Sequence, residues 1–213
     1  MSATTPPIKA FLFDLGGVLL RVDSSESVRS LGEILDRSPE EVQSAMSKDL
    51  LFAYERGELS SKAFYEELQN RCDPDRRLDE ATFKRYWQDV LFPMDDMIDF
   101  LDRVRQRYPV WFLSNTNDYH YDLFMRQFEF ISWGQGGVYS FQIGSMKPDP
   151  PIYAAAREMI PFSPEQVLFI DDLPQNVSGG REAGFTSIHF TGYDDLCQTL
   201  ERDFNELWGQ LCD

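Results

Sequence analysis

Three short runs of consecutive apolar residues punctuate the chain, at positions 11–13, 110–113 and 167–170, and a fourth segment, 186–190, has similar character. Each is too short for a helix, and each is continuously hydrophobic rather than alternating, which suits strands buried on both faces of a parallel sheet. Between them the apolar positions repeat at helical spacing, over residues 94–108, 119–128, 151–159 and 174–183, the last followed by Gly184 where a helix ends. Strands alternating with helices predict a doubly wound parallel-sheet α/β core of Rossmann-like type.

Residues 22–92 break this rhythm. They carry amphipathic segments at 26–35, 39–51, 61–71 and 79–90 and no buried-strand run. The expected organisation is therefore a core built from residues 1–21 and 93–213, with residues 22–92 inserted as a small helical cap. Pro39 and Pro164 follow Ser38 and Ser163, as a first-turn proline follows an N-cap. The aromatics Trp87, Phe92, Phe100, Trp111 and Phe112 are read as core, and so is His189.

Polar residues follow three of the runs at once: Asp14 after the first, Ser114 and Asn115 after the second, Asp171 and Asp172 after the third. Ligands of open parallel sheets collect at the carboxyl ends of the strands, so these groups are expected to face one crevice. A carboxylate there can attack phosphorus, and adjacent carboxylates can hold a hard cation. Each also has a plainer reading, Asp14 as a turn residue before Gly16 and Gly17, and Asp171 and Asp172 as acidic residues near the helix opened by Pro174.

The segments FLFDLGGVLL, VWFLSNT, GSMKPDPPIY and VLFIDDLPQNV, in this order, resemble the haloacid dehalogenase-like superfamily from about Ile8 to Phe190. The insert is similar to the helical cap of its sugar-phosphate phosphatase subfamily, and the whole looks nearest to the glucose-1-phosphatase-like branch. The resemblance implies a phosphatase that acts on a small phosphate monoester, a sugar phosphate being one candidate, through an aspartyl-phosphate on Asp14. It implies Mg2+ held by Asp14, the Gly16 carbonyl and Asp172, with Asp171 acting through water or orienting a neighbour. Ser114 and Asn115 would bind phosphoryl oxygens, Lys147 would neutralise phosphate and nucleophile, and Asn176 would orient the carboxylates or cap a helix. Tyr54 and Arg56, in a stretch 53–58 of turn character, and Asn117 are candidate substrate contacts.

One departure matters. Most phosphatases of this family carry an aspartate where Gly16 stands, and the proton transfer it supplies is worth about 10²–10⁴-fold. Dehalogenases of the family also lack that aspartate, so a 2-haloacid dehalogenase remains an alternative, as does a non-catalytic phosphate-binding member. Against the first, paired Asp171 and Asp172 have no place in a metal-free mechanism.

Charge narrows the partners. With 20 Lys and Arg against 36 Asp and Glu, the net charge is −16, which disfavours nucleic acid and anionic membranes. An anionic substrate then needs local positive charge, and Lys147 is the basic residue placed to supply it. Cys72, Cys197 and Cys212 fit neither a disulfide framework nor a zinc spacing, and neither His120 nor His189 has a metal-ligand partner in sequence. A polar N-terminus and the lack of a long apolar run predict a cytoplasmic protein, monomeric or homodimeric.

Overall fold

The computed structural model describes residues 7–73, 75 and 77–212, the last without its side chain, so the Cys212 thiol and the first six residues of the polar N-terminus lie outside it. The strands are β1 (Ala10–Phe13), β2 (Leu20–Val22), β3 (Leu91–Pro93), β4 (Val110–Ser114), β5 (Gly136–Tyr139), β6 (Val167–Asp171) and β7 (Thr186–His189). Between β2 and β3 lie helices α1 (Ser25–Leu35), α2 (Pro39–Ala45), α3 (Lys48–Glu55), α4 (Ser61–Cys72) and α5 (Glu80–Gln88). The remaining helices are α6 (Asp95–Arg105), α7 (Asp118–Gln127), α8 (Ser140–Ile143), α9 (Pro150–Met159), α10 (Pro174–Glu182), α11 (Tyr193–Asp203) and α12 (Asn205–Cys212).

The expected sheet is present, with five parallel strands in the order β5-β4-β1-β6-β7. Strand β1 sits at its centre, and the chain goes to one side for β4 and β5 and to the other for β6 and β7. The reversal opens a crevice at the carboxyl end of β1. Phe13 pairs with both Phe112 and Ile170, so the residues that follow β1, β4 and β6 emerge side by side.

The alternation of strand side chains explains why these runs are continuously apolar. Phe11, Phe13, Phe112 and Ile170 pack on one face with Met97, Phe100 and Leu101 of α6 and Leu196 and Leu200 of α11. Ala10, Leu12, Leu113 and Phe169 pack on the other with Ile152, Tyr153 and Ala156 of α9. Each fully buried Phe or Leu contributes about 1.5–3 kcal/mol.

Several elements differ from expectation. Strand β5, Gly-Gly-Val-Tyr, has no apolar run to announce it. A Cβ on nearby Gly134 would come within 2.5 Å of the Phe112 ring, so bare backbone is what fits against β4 there. The segment 39–51 is two helices that turn at Met46 and Ser47; α2 begins with Pro39 and a full Ser38/Glu41 capping box. Pro164 opens only a short 3-10 turn.

The inserted helices have their own apolar cluster, including Val28, Leu31, Val42, Leu50, Tyr54, Phe64 and Phe83, to which the core contributes Tyr119 of α7. They join the core through the antiparallel ribbon of β2 and β3, which Asp23 N–H closes by donating to the Val90 carbonyl. Phe92 on that ribbon is exposed and stacks under the Arg21 guanidinium, so it is not core. Among the described residues no helix is long and apolar enough to cross a membrane.

Candidate active site

A cavity of about 470 Å³ opens at the carboxyl end of β1, lined by Asp14, Gly16, Asn115, Lys147, Asp172 and Asn176 among others. Asp14 directly follows the strand and is 6% exposed. Its Oδ1 accepts from Leu15 N–H at 2.7 Å and meets Lys147 Nζ at 2.8 Å. Its other oxygen has no partner among the described residues. Burial pushes the carboxyl well above the usual range, opposed by Lys147 and reinforced by the charges of Asp171 and Asp172.

Lys147 is buried, not solvated. Its three ammonium protons are matched by Asp14, by Asp171 Oδ2 at 2.6 Å and by the Leu113 carbonyl at 2.8 Å. Burial alone would lower its pKa, but Asp14 and Asp171 overcome that and raise it, so it is a fixed cation. Asn115 holds the lysine's backbone from both sides, donating to the Lys147 carbonyl at 2.9 Å and accepting Lys147 N–H at 2.8 Å. Its amide group is therefore committed to positioning Lys147, although the residue lines the cavity. Ser114 does not line it; its hydroxyl turns to the Asn115 carbonyl, at 3.4 Å.

Asp171 and Asp172 divide their roles. Asp171 is fully buried and saturated, accepting from Lys147, from Leu173 N–H at 2.9 Å and from Asn176 Nδ2 on both oxygens. It anchors the lysine, and Asn176 orients it. The Asp172 carboxylate takes no hydrogen bond from another described side chain, and burial followed by the charge of Asp171 raises its pKa. A Cβ on Gly17, whose φ is +82°, would stand 2.2 Å from Asp172 Oδ2, so glycine there admits the carboxylate against the loop. The Gly17 N–H does not face the crevice; it donates to Leu20 O.

The donor set fits a hard divalent cation. Oxygens of Asp14, Asp171 and Asp172 lie within 4.8 Å of one another, and one ammonium cannot neutralise three carboxylates. The open positions are the unengaged Asp14 oxygen and Asp172, with the Gly16 carbonyl taking no hydrogen bond from the described residues. All are oxygen ligands, as Mg2+ prefers.

The contacts expected from the insert are elsewhere. Ala53, Tyr54 and Glu55 form the last turn of α3 rather than a loop. That turns Tyr54 inward, 1% exposed, stacked on Phe64 at 4.2 Å, with its hydroxyl donating to Asp118 and facing Ser61. Arg56 ends α3 with its guanidinium over Phe52. Asn117, 1% exposed, caps α7 through His120 N–H. His189 is exposed, with its ring on the Asp172 carbonyl. What the sequence reading missed is Arg21, Val22, Met94 and Leu173 at the cavity. The half-alternating Leu20-Arg21-Val22, directly after the Asp14 loop, was the available signal.

Known proteins are similar to this chain over most of its length. The chain is 29% identical to a D-ribitol-5-phosphate phosphatase of Bacteroides thetaiotaomicron, over 91% of this chain and 97% of that one. It is 26% identical to a sesquiterpene phosphatase of Aspergillus oryzae, over 91% and 95%. Among solved structures, the magnesium complex of a HAD family enzyme from Bacteroides thetaiotaomicron superposes with a TM-score of 0.74 at 25% identity, covering 86% of this chain and 93% of that one. Residues 8–184 match the family model of the haloacid dehalogenase-like hydrolases, and the chain belongs to that family.

Proposed function

We propose that this hydrolase is a magnesium-dependent phosphatase of small phosphate monoesters, working through an aspartyl-phosphate on Asp14. The observation that carries the reading is the division of the Asp14 carboxylate. One oxygen is fixed by Leu15 N–H and Lys147, and the other stands unengaged at the cavity beside the unengaged Asp172. The names of the two phosphatase relatives support it.

In the first step the free Asp14 oxygen bonds to phosphorus as the ester P–O bond breaks, and the leaving oxygen takes a proton. In the second, water attacks phosphorus, the Asp14 O–P bond breaks and inorganic phosphate leaves. Lys147 holds the nucleophile in place and offsets negative charge on the phosphoryl group. Magnesium, when bound at Asp14, Asp172 and the Gly16 carbonyl, supplies charge neutralisation and orientation of the phosphate. Gly16 has no side chain to protonate the leaving oxygen, so that proton comes from another group at the cavity or from water, unless the leaving group needs little help. We assign residues 22–92 as the cap over this cavity and residues 1–21 and 93–213 as the catalytic core.

Asp14→Asn tests the assignment. Phosphate release from a panel of sugar, polyol and alkyl phosphates with Mg2+ should fall to background while the thermal unfolding midpoint holds or rises, because a buried charge is removed. Turnover that survives the change removes Asp14 from its role. Chloride release from 2-chloropropionate without magnesium would instead establish the dehalogenase reading, in which Asp172 has no work to do.

A further inference from the structure

A second cavity, of about 360 Å³, lies among the inserted helices, walled by Val28, Leu31, Met46, Leu51 and Trp87. Its size falls within the range of about 300–1,000 Å³ typical of small-molecule pockets. It adjoins the Asp14 cavity through Val22, which lines both. The same valine is the neighbour that a Cβ on Gly16 would meet, at 3.5 Å. The side on which the family's usual acid is missing is thus the side that leads into the cap.

The walls are selective. Neither lysine nor arginine lines the cap cavity, so it offers no cation to a second phosphate or a carboxylate, although Ser24, Ser27 and Gln43 are polar residues on its wall. His120 is at its edge, but both ring nitrogens are engaged, with the Trp87 carbonyl at 2.8 Å and the Asn117 amide at 3.3 Å. Glu55 is different. It lines the cavity, makes no hydrogen bond or ion pair with any described residue, and is pushed by burial up to about 7. Glu55 is half-buried, and a ligand that filled the cavity would strip the water from its unpartnered carboxyl, so such a ligand must bring a polar atom of its own.

We propose that the cap cavity receives the leaving group of the phosphate ester, its walls gripping an apolar carbon skeleton while Glu55 hydrogen-bonds a single hydroxyl on that skeleton. The substrate class is the monophosphate of a largely apolar alcohol bearing one further hydroxyl, not a polyol phosphate or a bisphosphate. This rests on the phosphatase reading of the Asp14 cavity.

The test is phosphate release with Mg2+ from n-alkyl monophosphates of increasing length, their ω-hydroxy counterparts and a pentitol phosphate. We expect kcat/KM to rise about fourfold per methylene until the cavity is full. Met46→Trp should erase that gain and leave methyl phosphate turnover unchanged; Glu55→Leu should abolish the preference for the ω-hydroxy ester matching the cavity's depth. Indifference to chain length, preference for the pentitol phosphate, or equal loss on short and long esters in Met46→Trp overturns the proposal. If no ester is hydrolysed, the phosphatase reading fails instead, and calorimetric titration with alkanediols still decides the cavity. Saturable binding weakened by Met46→Trp upholds it as an apolar-alcohol site, and absence of binding overturns it.

Discussion

A Cβ at Gly16 would meet only Val22 Cγ2, at 3.5 Å, and its φ lies outside the left-handed region, so a side chain is admitted there without strain. Gly16→Asp should therefore raise kcat for esters with poor leaving groups, by up to about 100-fold, and change p-nitrophenyl phosphate much less. Steady-state rates across leaving groups of graded pKa check this; a uniform fall across the series would mean the leaving oxygen is not protonated from that side. Asp14, Lys147 and Asp172 were legible in the sequence because each stands at a strand end or in a motif. The saturation of Asp171 and the commitment of Asn115 to the Lys147 backbone were not, since both depend on chain segments that only folding brings together. Tyr54 differs for a local reason: a helix end resembles a turn in sequence, and in the last turn of α3 its ring packs inward on Phe64.

Helix α7 docks on the inserted helices through a set of polar bonds. Tyr54 reaches Asp118, Lys84 reaches Asp122 at 2.6 Å, Gln88 reaches the Tyr119 carbonyl at 2.6 Å, and His120 stacks on Trp87. Tyr54→Phe should cost about 1 kcal/mol of stability, read by denaturant unfolding, and leave KM unchanged, since its ring touches the junction and not the cavity. A raised KM would return Tyr54 to the substrate. Burial pushes His120 down from its ordinary 6.5 to about 4, so the unfolded chain binds a proton that the folded chain refuses. Stability from this group is full above about 6.5 and is lost as pH falls toward 4; melting midpoints of wild type and His120→Gln should converge over that window. Glu55 runs the other way, raised from 4.5 to about 7, so its contribution is present at low pH and fades as pH rises through 7. At this scale the buried strands were easy to read, and β5 was not, because Gly136 and Gly137 carry no hydrophobic signal. Helices α11 and α12 went unassigned although Leu196 and Leu200, and Leu207 and Leu211, repeat at the spacing of one helical turn.

With a net charge of −16 the whole molecule repels itself and its substrate. Raising ionic strength from about 0.01 to 0.15 M shortens the screening length from about 30 to 8 Å. At fixed Mg2+ both the melting midpoint and kcat/KM for a phosphate ester should rise; a fall in kcat/KM would mean that local positive charge, not the global field, governs approach. The ribbon between core and insert has another consequence. Because Asp23 and Val90 are already bonded across its end, residues 24–89 leave and re-enter at nearly one point, in the manner of a hairpin's turn. The β2–β3 ribbon therefore closes its hydrogen bonding without them, and a two-residue Asn-Gly turn spliced across that gap preserves the strand geometry. Such a splice makes the inserted unit exchangeable, one set of helices for another, without altering the path of the chain on either side.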